Sequence, residues 1–229
     1  MIKTCSIIQP HYIPYKGYFD LFKRSEKIII LDDVQFVKRE WKNRNRIRKG
    51  PRENSCKWLT VPIRKEDQMK KICDVFISDE DKEWREYHIN SVIFSYKKTV
   101  NFKKYSDLFF EIIGNKKINR LFDINMKIIN LCCKILKINR EIFYSSKLSL
   151  NETGVEKLIK ICKSHNCQQY LANNKTIENY GFEKFKNNKI DVIKQNYIDE
   201  IYPQKYAGKN LNWLSSLSIL DYIFNNEKI

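Results

Sequence analysis

Ser6–Asp20, SIIQPHYIPYKGYFD, reads as a strand, a stiff turn and the start of a helix. An apolar run, Ile2 to Ile8, leads in, and Phe19, Leu21 and Phe22 continue on the far side. Pro10 and Pro14 fix φ and bias Gln9 and Ile13 away from helix, so the backbone is expected to stay extended through Tyr12. The helix is then expected to begin near Pro14, which suits a first helical position. Gly17 falls in its first turn, where a missing side chain lets a ligand or a strand approach. Open α/β sheets place a ligand crevice at the carboxyl end of a strand followed by such a turn. Gln9, His11, Tyr12, Tyr15, Gly17 and Tyr18 are therefore the first candidate ligand contacts, with His11 also a candidate catalytic group.

The turn resembles a degenerate form of the one in the HIGH-motif nucleotidyltransferases. Tyr15-Lys16-Gly17-Tyr18 occupies the place of His-x-Gly-His, and the resemblance implies a nucleotide-binding geometry of the same general kind. Ile28–Leu31, the next apolar run, has the composition of a parallel strand buried on both faces, and it ends in Asp32-Asp33. If that strand continues, alternation puts Asp33 and Gln35 on one face and Asp32, Val34 and Phe36 on the other. Asp33 is then the candidate general base, with Gln35 beside it. Asp32 is the ligand contact or local cap, and Asp33→Asn is expected to abolish turnover with little loss of stability.

Val34–Arg48, VQFVKREWKNRNRIR, carries four arginines between Arg39 and Arg48. In an extended strand Lys42, Arg44, Arg46 and Arg48 share one face and Asn43, Asn45 and Ile47 the other. Guanidinium forks suit phosphate oxygens and amides suit sugar hydroxyls or base edges, so Trp41, Asn43, Arg44, Asn45 and Arg46 join the ligand candidates. Lys57–Ile63, KWLTVPI, reads as the returning strand of a long-looped hairpin. Asn43, Arg44 and Asn45 are expected to share a pocket with Gln9–Tyr12.

Apolar periodicity predicts helices over 81–95, 101–113 and 118–136, a helical insertion at roughly residues 80–140. Strand–helix alternation then returns, with strands at 143–145, 169–172 and 190–193 and helices at 154–165 and 217–224. Asn173–Tyr180, NNKTIENY, follows a strand directly and adds Asn173 and Lys175 as a second ligand loop. Cys162, His165 and Cys167 lack a second pair at zinc-site spacing, so no metal is expected. The whole describes one α/β domain, 1–229, with a mainly parallel sheet, an inserted basic β-hairpin and the helical insertion.

The 229 residues include 43 Lys and Arg against 27 Asp and Glu, a net charge of +16 that draws anions: nucleic acid, nucleotide-linked sugars or phosphates. The apolar start is too short for a secretory signal, and no apolar segment is long enough to span a bilayer. The expected setting is the cytoplasm, and the seven cysteines are expected to be reduced thiols.

QPHYIPYKGYFDLF, ILDDVQFVKREWKNRNRIR and WLTVPI, in this order, are similar to the WbqC-like family of bacterial proteins. The ending, YPQ followed by LSSLSILDYIFNN, resembles that family's as well, which adds Gln204 to the ligand candidates. Such proteins commonly accompany gene sets for O-antigen, other surface glycans or specialised metabolites. The resemblance implies a transferase that modifies a sugar or nucleotide-sugar by acyl or aminoacyl transfer to an amino sugar. Two other readings stand beside it. One is a nucleic-acid module, for instance for tRNA, using the arginine strand with Trp41, Tyr12 and Tyr15. The other is a nucleotidyltransferase-like enzyme. The sequence names no cofactor and no oligomeric state.

Overall fold

The computed structural model describes residues 3–50, 53–78, 80–205 and 212–229. The chain divides into two compact units. Unit one consists of the segment ending at Gln9, Gly17–Asp33 and Ile138–Ile198. Unit two consists of Pro10–Lys16, Val34–Lys137 and Asp199–Ile229.

Unit one holds a five-stranded, wholly parallel sheet. Its strands are β1 (Thr4–Ile8), β2 (Lys27–Ile30), β5 (Glu141–Tyr144), β6 (Gln169–Ala172) and β7 (Asp191–Lys194), in the order β5-β2-β1-β6-β7. The chain builds outward on one side of β1 and then returns to build on the other. The order therefore reverses between β1 and β6, which is the switch point where doubly wound sheets bind ligands. The α/β class with a mainly parallel sheet is as the sequence implied. Helix α1 (Lys16–Arg24) crosses from β1 to β2, and α5 (Gly154–Ser164) from β5 to β6. Val155, Leu158, Ile159 and Cys162 of α5 pack on Cys5, Ile7, Ile29 and Tyr170 of the sheet. Ser6, in the middle of β1, is buried without cost because its hydroxyl bonds the Leu171 carbonyl and Ser25 Oγ, each at 2.8 Å. After β6 come the short helices α6 (Asn174–Tyr180) and α7 (Glu183–Asn187). Gln195, just beyond β7, donates to the Gly17 carbonyl at 2.7 Å, so the glycine's place in this unit is a backbone tie.

Unit two is built on the expected antiparallel hairpin, β3 (Arg44–Arg48) with β4 (Cys56–Thr60), pairing Arg44 with Thr60 and Arg46 with Trp58. Helices α2 (Trp84–Tyr96), α3 (Phe102–Gly114), α4 (Leu121–Ile135) and α8 (Ile219–Asn225) complete it. Tyr96, Phe102 and Phe109 gather round Phe224 at centroid distances of 5.4–6.0 Å, joining α2, α3 and α8. The first helix begins at Lys16 and not at Pro14, because Tyr15 is still extended and bridges Ser218. The last helix likewise starts after Ser218, later than Leu217. Among the described residues no helix is long and apolar enough to cross a membrane.

Candidate functional site

The sequence candidates fall into the two units. Gln9, Gly17, Tyr18, Asp32, Asp33, Asn173 and Lys175 belong to unit one. His11, Tyr12, Tyr15, Gln35, Trp41, Asn43, Arg44, Asn45, Arg46 and Gln204 belong to unit two.

In unit one the polar centre lies at the carboxyl ends of β2 and β5. The Ile29–Phe143 and Ile30–Tyr144 pairs bring Asp32 and Asp33 beside Ser145. Ladder pairing of β2 ends at Ile30, and only the Leu31 N–H goes on to bond the Ile8 carbonyl. With the pleat ended, the alternation argument lapses, and both carboxylates turn to the same hydroxyl. Ser145 Oγ is 2.5 Å from Asp33 Oδ1 and 3.0 Å from Asp32 Oδ1. A hydroxyl has one proton to give, and the shorter contact assigns it to Asp33. Asp32 is served instead by the Ser146 N–H at 2.9 Å and Ser146 Oγ at 2.7 Å, so it caps the turn that starts at Ser145.

Asp33 Oδ2 is 2.6 Å from Lys157 Nζ on α5, with both side chains only 7% exposed. Burial pushes the Asp33 carboxyl up, but the hydrogen bonds from Lys157 and Ser145 and the Lys157 charge outweigh it and hold the group below its ordinary value of 3.8. Asp33 is therefore a charged, paired group. This reverses the expected neutrality of Asp33→Asn toward stability, because that change would leave a buried lysine unpaired. At the switch point the β1 end contributes Gln9, half-buried, whose carbonyl accepts from the Tyr18 hydroxyl at 3.1 Å. Tyr18 itself is buried core. The β6 end contributes Asn173, whose Oδ1 accepts from the Thr176 N–H at 2.9 Å, and the exposed Lys175.

In unit two the turn 10–16 is fastened by hydrogen bonds to four other residues, three of them donors and one, Trp41, an acceptor. Asn125 Nδ2 bonds the Pro10 carbonyl at 3.1 Å, Tyr12 N–H bonds the Trp41 carbonyl at 3.0 Å, and Ile219 N–H bonds the Pro14 carbonyl at 2.7 Å. Asn45 Nδ2 bonds the carbonyls of Tyr12 at 3.3 Å and Ile13 at 2.7 Å. Ile13 has φ +44°, a conformation that costs a β-branched residue free energy and persists only where surrounding bonds hold it. Tyr12 is buried, its hydroxyl 2.8 Å from His88 Nδ1. Burial pushes the His88 imidazole down to about 3, so the ring is neutral, gives its N–H to the Thr60 carbonyl and accepts the tyrosine proton at Nδ1. Asn45 is thus a clamp on the backbone of Tyr12 and Ile13. Asn43 is buried with Nδ2 on the Val61 carbonyl at 2.9 Å, and Gln35 is exposed with Nε2 3.3 Å from Met69 Sδ. His11 and Tyr15 are half-buried.

The basic strand is divided in its fate. Lys42 is buried and paired to Glu40. Arg48 is 2% exposed, with Nη2 on Gln204 Oε1 at 2.8 Å and the Asn212 carbonyl at 3.1 Å, and Nη1 on the Glu53 carbonyl at 2.9 Å. Gln204 in turn donates to the Leu214 carbonyl at 2.8 Å and the Tyr202 hydroxyl at 3.2 Å, and Tyr202 donates to Asp221 at 2.7 Å. That buried network is what the YPQ and ILDY elements build. Arg44 and Arg46 remain half-exposed beside Trp41 and Trp58. Arg44 Cζ stands 4.2 Å from the Trp58 ring centre, and Arg46 Cζ 5.9 Å from both rings. The residues that sequence reasoning missed are Ser145, Ser146 and Lys157 in one unit and Trp58 in the other. Trp58 had a visible signal, since it sits across the hairpin from Arg46. Among the described residues no group of three or more His, Cys, Asp or Glu is arranged to hold a metal ion.

The protein "Uncharacterized protein Rv1507c" from Mycobacterium tuberculosis (strain ATCC 25618 / H37Rv) is 28% identical over 226 residues, 98% of this chain and 94% of the relative. No solved structure matches the chain. The profile of the WbqC-like protein family matches residues 9–228, a span that takes in the fastened turn, the acid–serine–lysine centre, the hairpin and the YPQ network. The chain belongs to the WbqC-like protein family.

Proposed function

We propose that this protein is a cytoplasmic transferase that modifies a sugar or nucleotide-sugar in surface-polysaccharide assembly, by acyl or aminoacyl transfer to an amino sugar. The observation that carries it is the sheet order β5-β2-β1-β6-β7, whose reversal between β1 and β6 makes a switch point of the kind that takes nucleotides. Gln9 and Asn173 stand at the two strand ends that flank it. In the transfer the acceptor nitrogen forms the new C–N bond, the donor C–O bond breaks, and a proton passes from nitrogen to the leaving oxygen. Asp33 is the carboxylate assigned to that proton and Lys157 the cation beside it. Because Lys157 holds Asp33 charged, the carboxylate can accept a hydrogen bond from the acceptor amine, which attacks in its neutral form and gives up its one surplus proton to the leaving oxygen.

A panel of nucleotide-sugars, each titrated while the melting temperature is read, tests the reading. A nucleotide-linked amino sugar is expected to raise it, with ligand identity confirmed by mass spectrometry of what co-purifies. Asn173→Asp keeps the α6 cap but sets a negative charge beside the ligand's phosphates, and is expected to weaken binding about tenfold, or about 1.4 kcal/mol. No shift with any nucleotide-sugar, together with unchanged binding in Asn173→Asp for whatever ligand is found, would remove the proposal.

A further inference from the structure

The hairpin of unit two carries an exposed aromatic and cationic surface whose two arginines meet no carboxylate among the described residues. Trp41 and Trp58 are 40% and 39% exposed with ring centres 5.4 Å apart. Arg44 Cζ is 4.2 Å from the Trp58 ring centre, and Arg46 Cζ is 5.9 Å from the centres of both rings. Among the described residues neither arginine has a carboxylate partner, and the buried Nε atoms of both have no hydrogen-bond acceptor. The Arg46 guanidinium donates to the Ser216 carbonyl at 3.3 Å. Every other buried cation of the segment is tied: Lys42 to Glu40 and Arg48 to Gln204. Partly desolvated guanidinium groups without an anion are costly, and exposed tryptophan pairs are uncommon outside binding surfaces. The loop that delivers Trp41 adds the exposed Lys38 and Arg39.

We infer that the Trp41–Trp58 pair with Arg44 and Arg46 is a platform for single-stranded RNA, an activity beyond the transfer proposed above. The occupant must offer flat π-faces and separated negative charges. Unstacked bases lie on tryptophan rings and on guanidinium planes alike. Arg44 and Arg46 are two residues apart on one strand, about 6.6 Å, so they answer two successive anionic groups better than one compact one. A neutral sugar would leave both guanidiniums unanswered. An acidic protein surface would meet the charges but leave the tryptophan faces unused.

Fluorescence anisotropy of a short labelled single-stranded RNA, with the same sequence as a duplex for comparison, tests the inference on the full chain. The single strand is expected to bind more tightly than the duplex, and Trp58→Ala to weaken it about tenfold or more. Trp58→Phe, which keeps a stacking ring, should restore most of that loss. Arg46→Ala is expected to reduce the slope of log K against log salt by about 1. Melting curves of the three variants show that they are folded, and a variant that is not is replaced by Trp41→Phe paired with Trp41→Ala. Equal binding of duplex and single strand, or unchanged affinity in Trp58→Ala, overturns the platform. Binding of an acidic protein in place of RNA overturns the choice of occupant. If RNA fails while a nucleotide-sugar still raises the melting temperature, the transferase reading stands and this inference falls; the reverse outcome separates them the other way.

Discussion

Unit one and unit two treat charge in opposite ways. At the end of β2 and β5, Asp32, Asp33, Ser145, Ser146 and Lys157 satisfy one another, and the buried carboxylate and ammonium are 2.6 Å apart. On the hairpin, Arg44 and Arg46 keep buried Nε atoms with no acceptor and stand against exposed tryptophans. The first cluster is complete, so its removal is felt in folding as well as in the turnover proposed for Asp33. The second is open, so its removal is felt in binding. A group's partners therefore say more about its role than its chemical type does, and four substitutions put that contrast to the test.

The largest effect is expected from Lys157→Met. It strands the Asp33 carboxylate in a site where both side chains are 7% exposed, and breaking a buried pair by one partner costs about 3–5 kcal/mol. Urea denaturation reads the loss. Asp33→Asn should cost a comparable amount, while the double change Asp33→Leu with Lys157→Met should recover most of it. Asp33 also fixes a sign with pH. Its carboxyl is held below 3.8, so the stability it contributes is present above that value and is lost as pH falls through the folded-state pKa. A single-variant loss under about 1 kcal/mol would mean that water screens the pair, and the contrast with the hairpin would collapse.

Asp221 comes next and has the opposite sign. Burial raises it to about 6 against the bonds from Tyr202 and Tyr96, so the folded state holds its proton where the unfolded chain has released it. Stability is full below pH 3.8 and falls as pH rises through about 6, by about 3 kcal/mol at 1.36 kcal/mol per unit. Melting temperatures from pH 4 to 8 should therefore decline for the native chain. Asp221→Asn keeps an acceptor for Tyr202 and should flatten that profile. A native profile that rises across the same window would contradict the burial of this carboxyl.

The elements were legible and their meeting places were not. Continuous apolar runs marked β1, β2 and β6 within a residue or two, and the periods of α2, α3 and α4 were visible, because both signals are local. Asp32 and Asp33 were visible too, but Ser145 is 113 residues beyond Asp32 and Lys157 is 124 beyond Asp33. Only the strand order, with β5 beside β2, makes them neighbours. Lys157 gave no sign of itself, since a lysine next to the inward positions of α5 reads as a solvated one. Asn43, Asn45 and Gln204 were read as ligand groups because amides serve sugars and backbone carbonyls equally well. What claimed them was the demand of buried carbonyls in Tyr12, Ile13, Val61 and Leu214. In the hairpin the pattern of alternate arginines was right, while burial of Arg48 depended on a segment more than 150 residues away.

Asn45→Ala sits third in size. It removes the donor to the Tyr12 and Ile13 carbonyls and the acceptor of the Arg46 N–H at 2.7 Å. Buried groups left unsatisfied cost about 1–3 kcal/mol, and the strained Ile13 loses a bond that holds it. Chemical denaturation is expected to show that loss. Proteolysis should report faster cutting within the turn 10–16, a sign that distinguishes a local clamp from a uniform loss of stability. Unchanged cutting there would show that the other three anchors suffice.

The smallest effect on stability is expected from Arg44→Ala, and that smallness is the point. Arg44 contributes a contact with Trp58 at 4.2 Å and no ion pair among the described residues. A cation over an exposed ring is worth about 0.5–1 kcal/mol, and truncation also frees a buried Nε that had no acceptor, which offsets part of the loss. The native fold should therefore tolerate the change within about 1 kcal/mol. A double-mutant cycle with Trp58→Ala isolates the term, since the two residues touch while the remainder of each environment differs. Coupling within that range says the arginine is held ready for something other than folding. A coupling of about 3 kcal/mol, as large as that of the Asp33–Lys157 pair, would make the hairpin a structural ladder like its neighbour Arg48 and erase the difference between the two regions.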